Sequence, residues 1–301
     1  MAKARAIVKR RKAVRNIKKI TKTMQMIATA KFQKSLKRAV GSKPYSIKVK
    51  ELVRELAGSV GEAVHPLLRR PAGEDIKHKI AVVVITSNRG LAGAYNGSVL
   101  RLAGHFLRDK EAAGDKIDLF VAGKKGVNYF NFQRRPITQR LDQISDTPAF
   151  ADVERVADMF IGKFIAGEYD AVYVVYMNFI SAGQQKADVM NLLPLAGVAD
   201  EKTAQPGQPK PLQAETVYDY VPDAKSLLDE LLPLTVKTAL FQAFLDATTS
   251  EQVARMVAMK SATDNADKMV KSLTMQYNRA RQSQITTELS EIMGGVEAMN
   301  K

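Results

Sequence analysis

Apolar residues recur at helical spacing through the first forty positions: Val14, Ile17, Ile20, Met24, Ile27, Ala28, Phe32 and Leu36, with no Gly or Pro before Gly41. At ~1.5 Å per residue this predicts a helix of ~60 Å. The pattern resumes past Gly41 and Pro44 with Tyr45, Val49, Leu52, Val53 and Leu56, so either the helix kinks near Pro44 or a second helix follows. Residues 235–293 also lack Gly and Pro, and they carry Val253, Met256, Val257, Met269, Val270, Leu273, Tyr277, Ile285, Leu289 and Ile292 at the same spacing. A continuous helix there would reach nearly ~90 Å. A shorter helical pattern, AKSLLDELL (224–232), precedes Pro233.

The middle of the chain follows another rule. KIAVVVI (79–85), IDLFVAG (117–123) and DAVYVVYM (170–177) are continuous apolar runs rich in β-branched residues, as in strands buried on both faces. Helical patterns at 97–114 and 151–167 lie between them. Strand–helix alternation predicts a parallel, Rossmann-like α/β domain over 75–200. The stretch 197–216 is rich in Pro, Gly and Gln and predicts a mobile loop. Segments 1–60 and 222–301 flank this domain. Their helices are too long to fold inside a domain whose radius of gyration is ~15 Å. The economical arrangement is a long antiparallel coiled coil in which each apolar stripe buries the other. Thr21, Ala28 and Ser35 fall seven apart where Leu or Ile would be expected. Small seam residues allow close packing but contribute modest apolar burial, which implies that a partner also holds the coil from outside.

Charge sharpens this picture. Residues 1–60 hold 18 Lys or Arg against 2 Glu, while the whole chain carries a net +15, so the basic character belongs to one arm. Such an arm suits nucleic acid, a membrane surface or a shaft running through an acidic protein partner. The unbroken apolar stripe, and the presence of only Phe32 and Tyr45 as aromatics in residues 1–60, weigh against nucleic acid, the main rival. With no cysteine, disulfides and thiolate sites are excluded, and the composition suits a reducing compartment. The longest apolar runs are far short of the ~20 residues a membrane span needs. The basic, amphipathic N-terminus has the look of a transit peptide but is taken as mature protein, because the resemblance given below begins within it.

Candidate chemistry is sparse. ITSNRGLAGAYN (85–96) follows a strand, yet neither it nor AGKKG (122–126) has phosphate-loop or dinucleotide spacing. Its glycines predict a tight turn, and Arg89 a turn cap or a contact with a neighbouring subunit. His65, His78 and His105 are scattered, so no metal site is expected; nor is a catalytic residue or a cofactor.

Three segments resemble the gamma subunits of bacterial F-type ATP synthases. KKITKTMQMIATAKFQ (18–33) is similar to the family's KITKAMxMVAASK stretch, and ITSNRGLAGAYN to its TSDRGLCGxYN signature. SEQVARMVAMKSATDNADKM (250–269) and YNRARQSQITTELSEIMGG (277–295) are similar to its C-terminal helix. Asn88 stands where the family often has Asp, and Ala92 where it often has Cys. No long cysteine-bearing insertion of the plant plastid type is present, so redox control of that kind is not expected. The resemblance implies the central-stalk rotor of a proton-translocating complex, peripheral to the cytoplasmic face of the bacterial plasma membrane. It implies alpha, beta, epsilon and c-ring subunits as partners, with ATP chemistry on the beta subunits. It also implies partner contacts at Met24, Arg89, Arg255, Arg281, Gln282, Thr286 and Glu288.

Overall fold

The structure is a computed structural model that describes residues 2–60, 65–68, 78–195 and 224–299; the expected loop at 197–216 lies outside them. Its helices are α1 (Ala2–Val60), α2 (Tyr95–Ala112), α3 (Lys124–Phe132), α4 (Phe150–Ile165) and α5 (Ala224–Met299). Its strands are β1 (Lys79–Ile85), β2 (Lys116–Ala122), β3 (Gln139–Arg140), β4 (Ala171–Phe179) and β5 (Gln185–Leu193). The chain divides into two compact units, Phe32–Gln252 and the pair Met1–Lys31 with Val253–Lys301.

In the first unit the strands form one sheet in the order β3-β2-β1-β4-β5. β1 pairs in parallel with β2 and β4, and β2 with β3, which is a doubly wound arrangement. The expected all-parallel sheet is corrected at one edge, where β5 runs antiparallel to β4. Its sequence, QKADVMNLL, is half-buried and carries Lys186 and Asp188, so it lacks the solid apolar run that marked the other strands. Neither β3 nor α3 was visible as a pattern, because two and nine residues are too few to show a period.

β1 explains the sheet. Every residue after Lys79 is buried, since helices cover both faces. Ala81, Val83 and Ile85 point into a core shared with Val156, Phe160 and Phe164 of α4 and with Leu232, Val236, Leu240 and Phe244 of α5. α2 packs on β1, β4 and β5, and α3 on β2. The apolar stripe of α5 recurs every three or four residues and lies along the sheet, so its burial there explains why Pro233 does not break it. A proline inside a helix costs ~3 kcal/mol or more, and tertiary packing outweighs that here. α1 likewise runs unbroken through Pro44, so of the two expected outcomes no second helix begins there. Beside Pro44, the Ser42 hydroxyl donates to Gln242 Oε1 at 2.6 Å, and Gln242 Nε2 donates to the Ala39 carbonyl at 3.4 Å. These bonds tie the proline turn of α1 to α5.

The same junction buries a carboxylate. Asp246, 4% exposed, accepts a hydrogen bond from Gln242 Nε2 at 2.9 Å. Burial pushes its carboxyl up to about 6, against the opposing influence of Lys43 on α1 and the Gln242 bond. Tyr176 of β4 is raised by burial and then by Asp246 and by Asp188 of β5. Because the folded state keeps a proton that the unfolded chain releases, stability falls as pH rises from about 4 to about 6 and stays lower above that range. Asp246→Asn keeps the acceptor and removes the charge. It should stabilise the chain by about 2 kcal/mol at pH 8 and by less at pH 5. Thermal unfolding of both proteins at the two pH values checks this: the gap must widen with pH.

Candidate partner surfaces and the signature loop

The second unit is a two-helix seam. Arg11 sits over the ring of Tyr277, its Cζ 5.0 Å from the centroid; Lys18 Nζ meets Asp267 Oδ1 at 2.5 Å; and the Thr21 and Thr263 hydroxyls meet at 2.8 Å. Numbers rise along α1 as they fall along α5, so the helices run antiparallel, as expected. Val14, Ala266 and Leu273 form the local core, flanked by Ile7 and Val270, and Thr21, Ala28 and Thr263 are buried with them. Continuing the pairing from Arg11–Tyr277 back to Ala2 brings α1 to its end near residue ~287 of α5. Past that point α5 has no companion helix among the described residues. Ile285, Leu289, Ile292, Met293 and Val296, spaced as one helical stripe, are all exposed.

The predicted contact residues divide by exposure. Arg281, Gln282, Thr286 and Glu288 are exposed, the first three just before this unaccompanied stretch and Glu288 at its start. The Thr286 hydroxyl donates to the Gln282 carbonyl, and Gln284 Nε2 donates to Glu288 Oε1. Met24 is half-buried, and Arg255 is 8% exposed, so the chain itself covers most of that guanidinium.

Arg89 lies in the other unit, on the loop between β1 and α2. This loop acts as a cap for α3. The N-cap residue of α3, Gly123, offers no side-chain oxygen, and the loop supplies the acceptors instead. Lys124 N donates to Asn88 Oδ1 at 3.2 Å, Lys125 N to the Ser87 carbonyl at 3.1 Å, and Gly126 N to Thr86 Oγ1 at 2.9 Å. Approach this close requires both glycines of AGKKG. A Cβ on Gly123, whose φ is +91°, would lie 2.1 Å from the Thr86 carbonyl oxygen, and one on Gly126 would lie 2.8 Å from Thr86 Oγ1. Sequence spacing had shown only that these glycines do not fit a phosphate loop; their true partner, Thr86, lies 37 residues before Gly123 and 40 before Gly126.

Asn88 is the pivot of the cap. Its Nδ2 donates to Asp146 Oδ1 at 2.9 Å while its Oδ1 accepts from Lys124 N, a pair of bonds that an ionised carboxylate at 88 could not make. Ser87 is held by Asn96, whose Oδ1 accepts from Ser87 N at 3.0 Å and whose Nδ2 donates to Ser87 Oγ at 2.8 Å. The Arg89 side chain is 77% exposed and pairs with Asp146, its Nε 3.8 Å from Asp146 Oδ2. Phe244, Ala247, Thr248 and Glu251 of α5 line one side of the crevice where a doubly wound sheet takes a ligand, and the cavity of about 30 Å³ left there beside Thr86 and Tyr95 has room for a single water. A separate, open cleft of about 720 Å³ is lined by Asn88, Arg89, Lys124, Arg140, Asp142 and Asp146. Among the described residues no cluster of His, Asp or Glu is arranged to hold a metal.

Comparison with known proteins adds the family. A family model described as ATP synthase matches residues 3–299. The ATP synthase gamma chain of Rhodopirellula baltica is 44% identical over 299 residues, covering 99% of each chain. That of Exiguobacterium sp. is 37% identical over 300 residues, covering 99% of this chain and all of its own. The fold is shared with a chain in the Euglena gracilis mitochondrial ATP synthase, at TM-score 0.64 and 19% identity over 99% of this chain and 95% of that one. It is also shared with a chain of the Tetrahymena thermophila central stalk and c-ring assembly, at TM-score 0.57 and 20% identity over 81% of this chain and 99% of that one.

The capping loop makes a prediction. Asn88→Asp removes the Nδ2 donor and sets a second carboxylate against Asp146, so it should cost about 1–2 kcal/mol. Adding Asp146→Asn restores a donor–acceptor pair in the opposite sense and should recover most of the loss. Denaturant midpoints of the single and double variants test this; a double variant no more stable than the single one removes the pivot role.

Proposed function

The chain belongs to the ATP synthase gamma-chain family, and on that premise we propose that it is the central-stalk rotor of an F-type synthase, coupling proton flow through a membrane ring to ATP synthesis in an alpha/beta head. The observation that carries this reading is the C-terminal stripe of α5. Ile285, Leu289, Ile292, Met293 and Val296 are apolar and exposed, and α5 continues past the end of its companion. A lone helix with such a stripe requires a cover from another protein. From 282 to 299 the only charged residues are Glu288, Glu291 and Glu297, so the contact is weakly charged, as suits a sleeve in which the helix turns.

The chain then acts as a shaft, and catalysis resides in the beta subunits of the head. Arg89, Arg281, Gln282, Thr286 and Glu288 are its contact residues, together with Met24 and the exposed edge of Arg255. Exposed ion pairs give only ~0–1 kcal/mol each, so they hold loosely, which suits a surface that passes several equivalent neighbours. The epsilon subunit and the c-ring are its partners at the membrane end. No described helix is long and apolar enough to cross a membrane. The chain reaches the cytoplasmic face of the bacterial plasma membrane through the complex.

Because the chain carries no cysteine, rotation can be tested with a single introduced thiol. Met24→Cys, oxidised to a cysteine on a facing beta loop, should abolish coupled turnover, and reduction should restore it. Bond formation requires Cα atoms within ~7 Å and so reports proximity as well. Full ATP synthesis with that link quantitatively formed means the chain need not turn. Deleting residues 290–301 should weaken assembly or torque yet leave measurable ATP hydrolysis. Complete loss of hydrolysis in an intact, correctly assembled complex rejects the sleeve as a simple bearing.

A further inference from the structure

Asp246 is a buried carboxyl group beside a cation that does not pair with it. It takes one hydrogen bond among the described residues, from Gln242 Nε2. Two charged or titratable side chains on other elements face it, Lys43 of α1 and Tyr176 of β4. Burial pushes the Tyr176 phenol up, so it stays neutral. Asp188 of β5 also faces Tyr176, and its oxygens are engaged by Val189 N at 3.0 Å and Asn178 Nδ2 at 3.5 Å. Lys43 alone is left to answer a charge on Asp246.

Lys43 is held elsewhere, and weakly. Its Nζ donates to the carbonyl of Phe179, the last residue of β4, at 3.4 Å. That is longer than the ~2.7–3.2 Å of a firm N–H···O bond. A carbonyl dipole holds an ammonium less strongly than a full negative charge does, and the difference grows where water is excluded. An ionised Asp246 with a single hydrogen bond is short of compensation, so it gains most by drawing the ammonium in. The lysine stem is flexible enough to move without the backbone. The Pro44 turn stays on α5 in either case, because Gln242 bonds Ser42 and the Ala39 carbonyl independently of Lys43.

We propose that Lys43 is the moving part of a proton switch, fastening α1 to the end of β4 while Asp246 is protonated and to Asp246 of α5 once that carboxyl ionises. Burial places the change near pH 6, where the Asp246 carboxyl has been pushed. α1 thus exchanges the sheet for α5 as its partner at this turn when pH rises through that value. The arrangement described above, with Lys43 on the Phe179 carbonyl, is the protonated form.

The test uses the whole chain. Lys43 and Lys34, an exposed lysine on the same helix, are acetylated together at pH 5 and at pH 8, and their ratio is read by mass spectrometry. Both amines are largely protonated throughout, so the ratio is constant unless a neighbouring charge appears. An ionised Asp246 holds Lys43 protonated, so the Lys43 to Lys34 ratio should fall at least about fivefold from pH 5 to pH 8, and should stay within about twofold in Asp246→Asn. The carbonyl carbon-13 resonance of Phe179 should move over the same pH range in the wild type and stay still in Asp246→Asn. Lys43→Met removes the cation, so the fall of stability with pH should end at least about half a pH unit higher than in the wild type. A flat wild-type ratio overturns the switch, and it needs no variant to fold. A falling ratio with a fixed Phe179 resonance also overturns it, because Lys43 then never leaves the carbonyl. An unmoved stability profile in Lys43→Met does the same, because the lysine then never answers the carboxylate. No partner subunit takes part, so each outcome leaves the stalk reading as it stands.

Discussion

Small side chains at the α1–α5 seam set the terms for the two-helix unit. Thr21, Ala28, Thr263 and Ala266 are buried there, with Val14 and Leu273 supplying most of the bulk. Helices that meet through residues of this size come close together but bury little apolar area, and burial is what stabilises a pair of helices in water. Register must therefore come from directional contacts: the Thr21–Thr263 hydroxyl pair, the Lys18–Asp267 ion pair and Arg11 on Tyr277. Ile17, Ile20, Ile27, Val257 and Met275 stay exposed on the same unit. The pair is thin, specific in alignment and apolar outside, which are the properties of an element completed by a surrounding protein.

The α/β unit uses its most conspicuous motif for architecture. A β1–α2 loop in a doubly wound sheet sits where nucleotides commonly bind, and here its oxygens go to the amides of a neighbouring helix. Gly123 and Gly126 let that loop in, and side chains of α5 line the small cavity beside it. On its outer side the loop leaves Arg89 and Leu91 exposed.

Long elements were legible because a repeated pattern accumulates signal. β1 and β4 were evident from their unbroken apolar runs, and both terminal helices from their stripes. The prolines misled, since Pro44 and Pro233 are local costs that packing against α5 and the sheet outweighs. β5 was hidden because an edge strand is half-solvated and shows no solid apolar run. The site was legible only in part. Arg89 was marked by its motif, and the exposed stripe after Gln282 by its composition. The cap was not, because Asn88, Lys124 and Asp146 meet through the fold at separations that no local pattern carries. The positive φ of Leu91, 62°, is a backbone angle, and no residue type announces it.

The ion pair between Lys18 and Asp267 joins residues 249 apart in sequence, and that separation governs how the chain is made. Translation proceeds at roughly 5–20 residues per second, so α1 emerges from the ribosome tens of seconds before the part of α5 that will cover it. In that interval its stripe is uncovered and its surface strongly basic, next to a ribosome made largely of anionic RNA. The strands emerge in that interval, and their core is complete only once Leu232, Val236, Leu240 and Phe244 of α5 have followed. The seam is therefore the last contact that can form, because its α5 half, from Val253 onward, is the last part of the chain to be made.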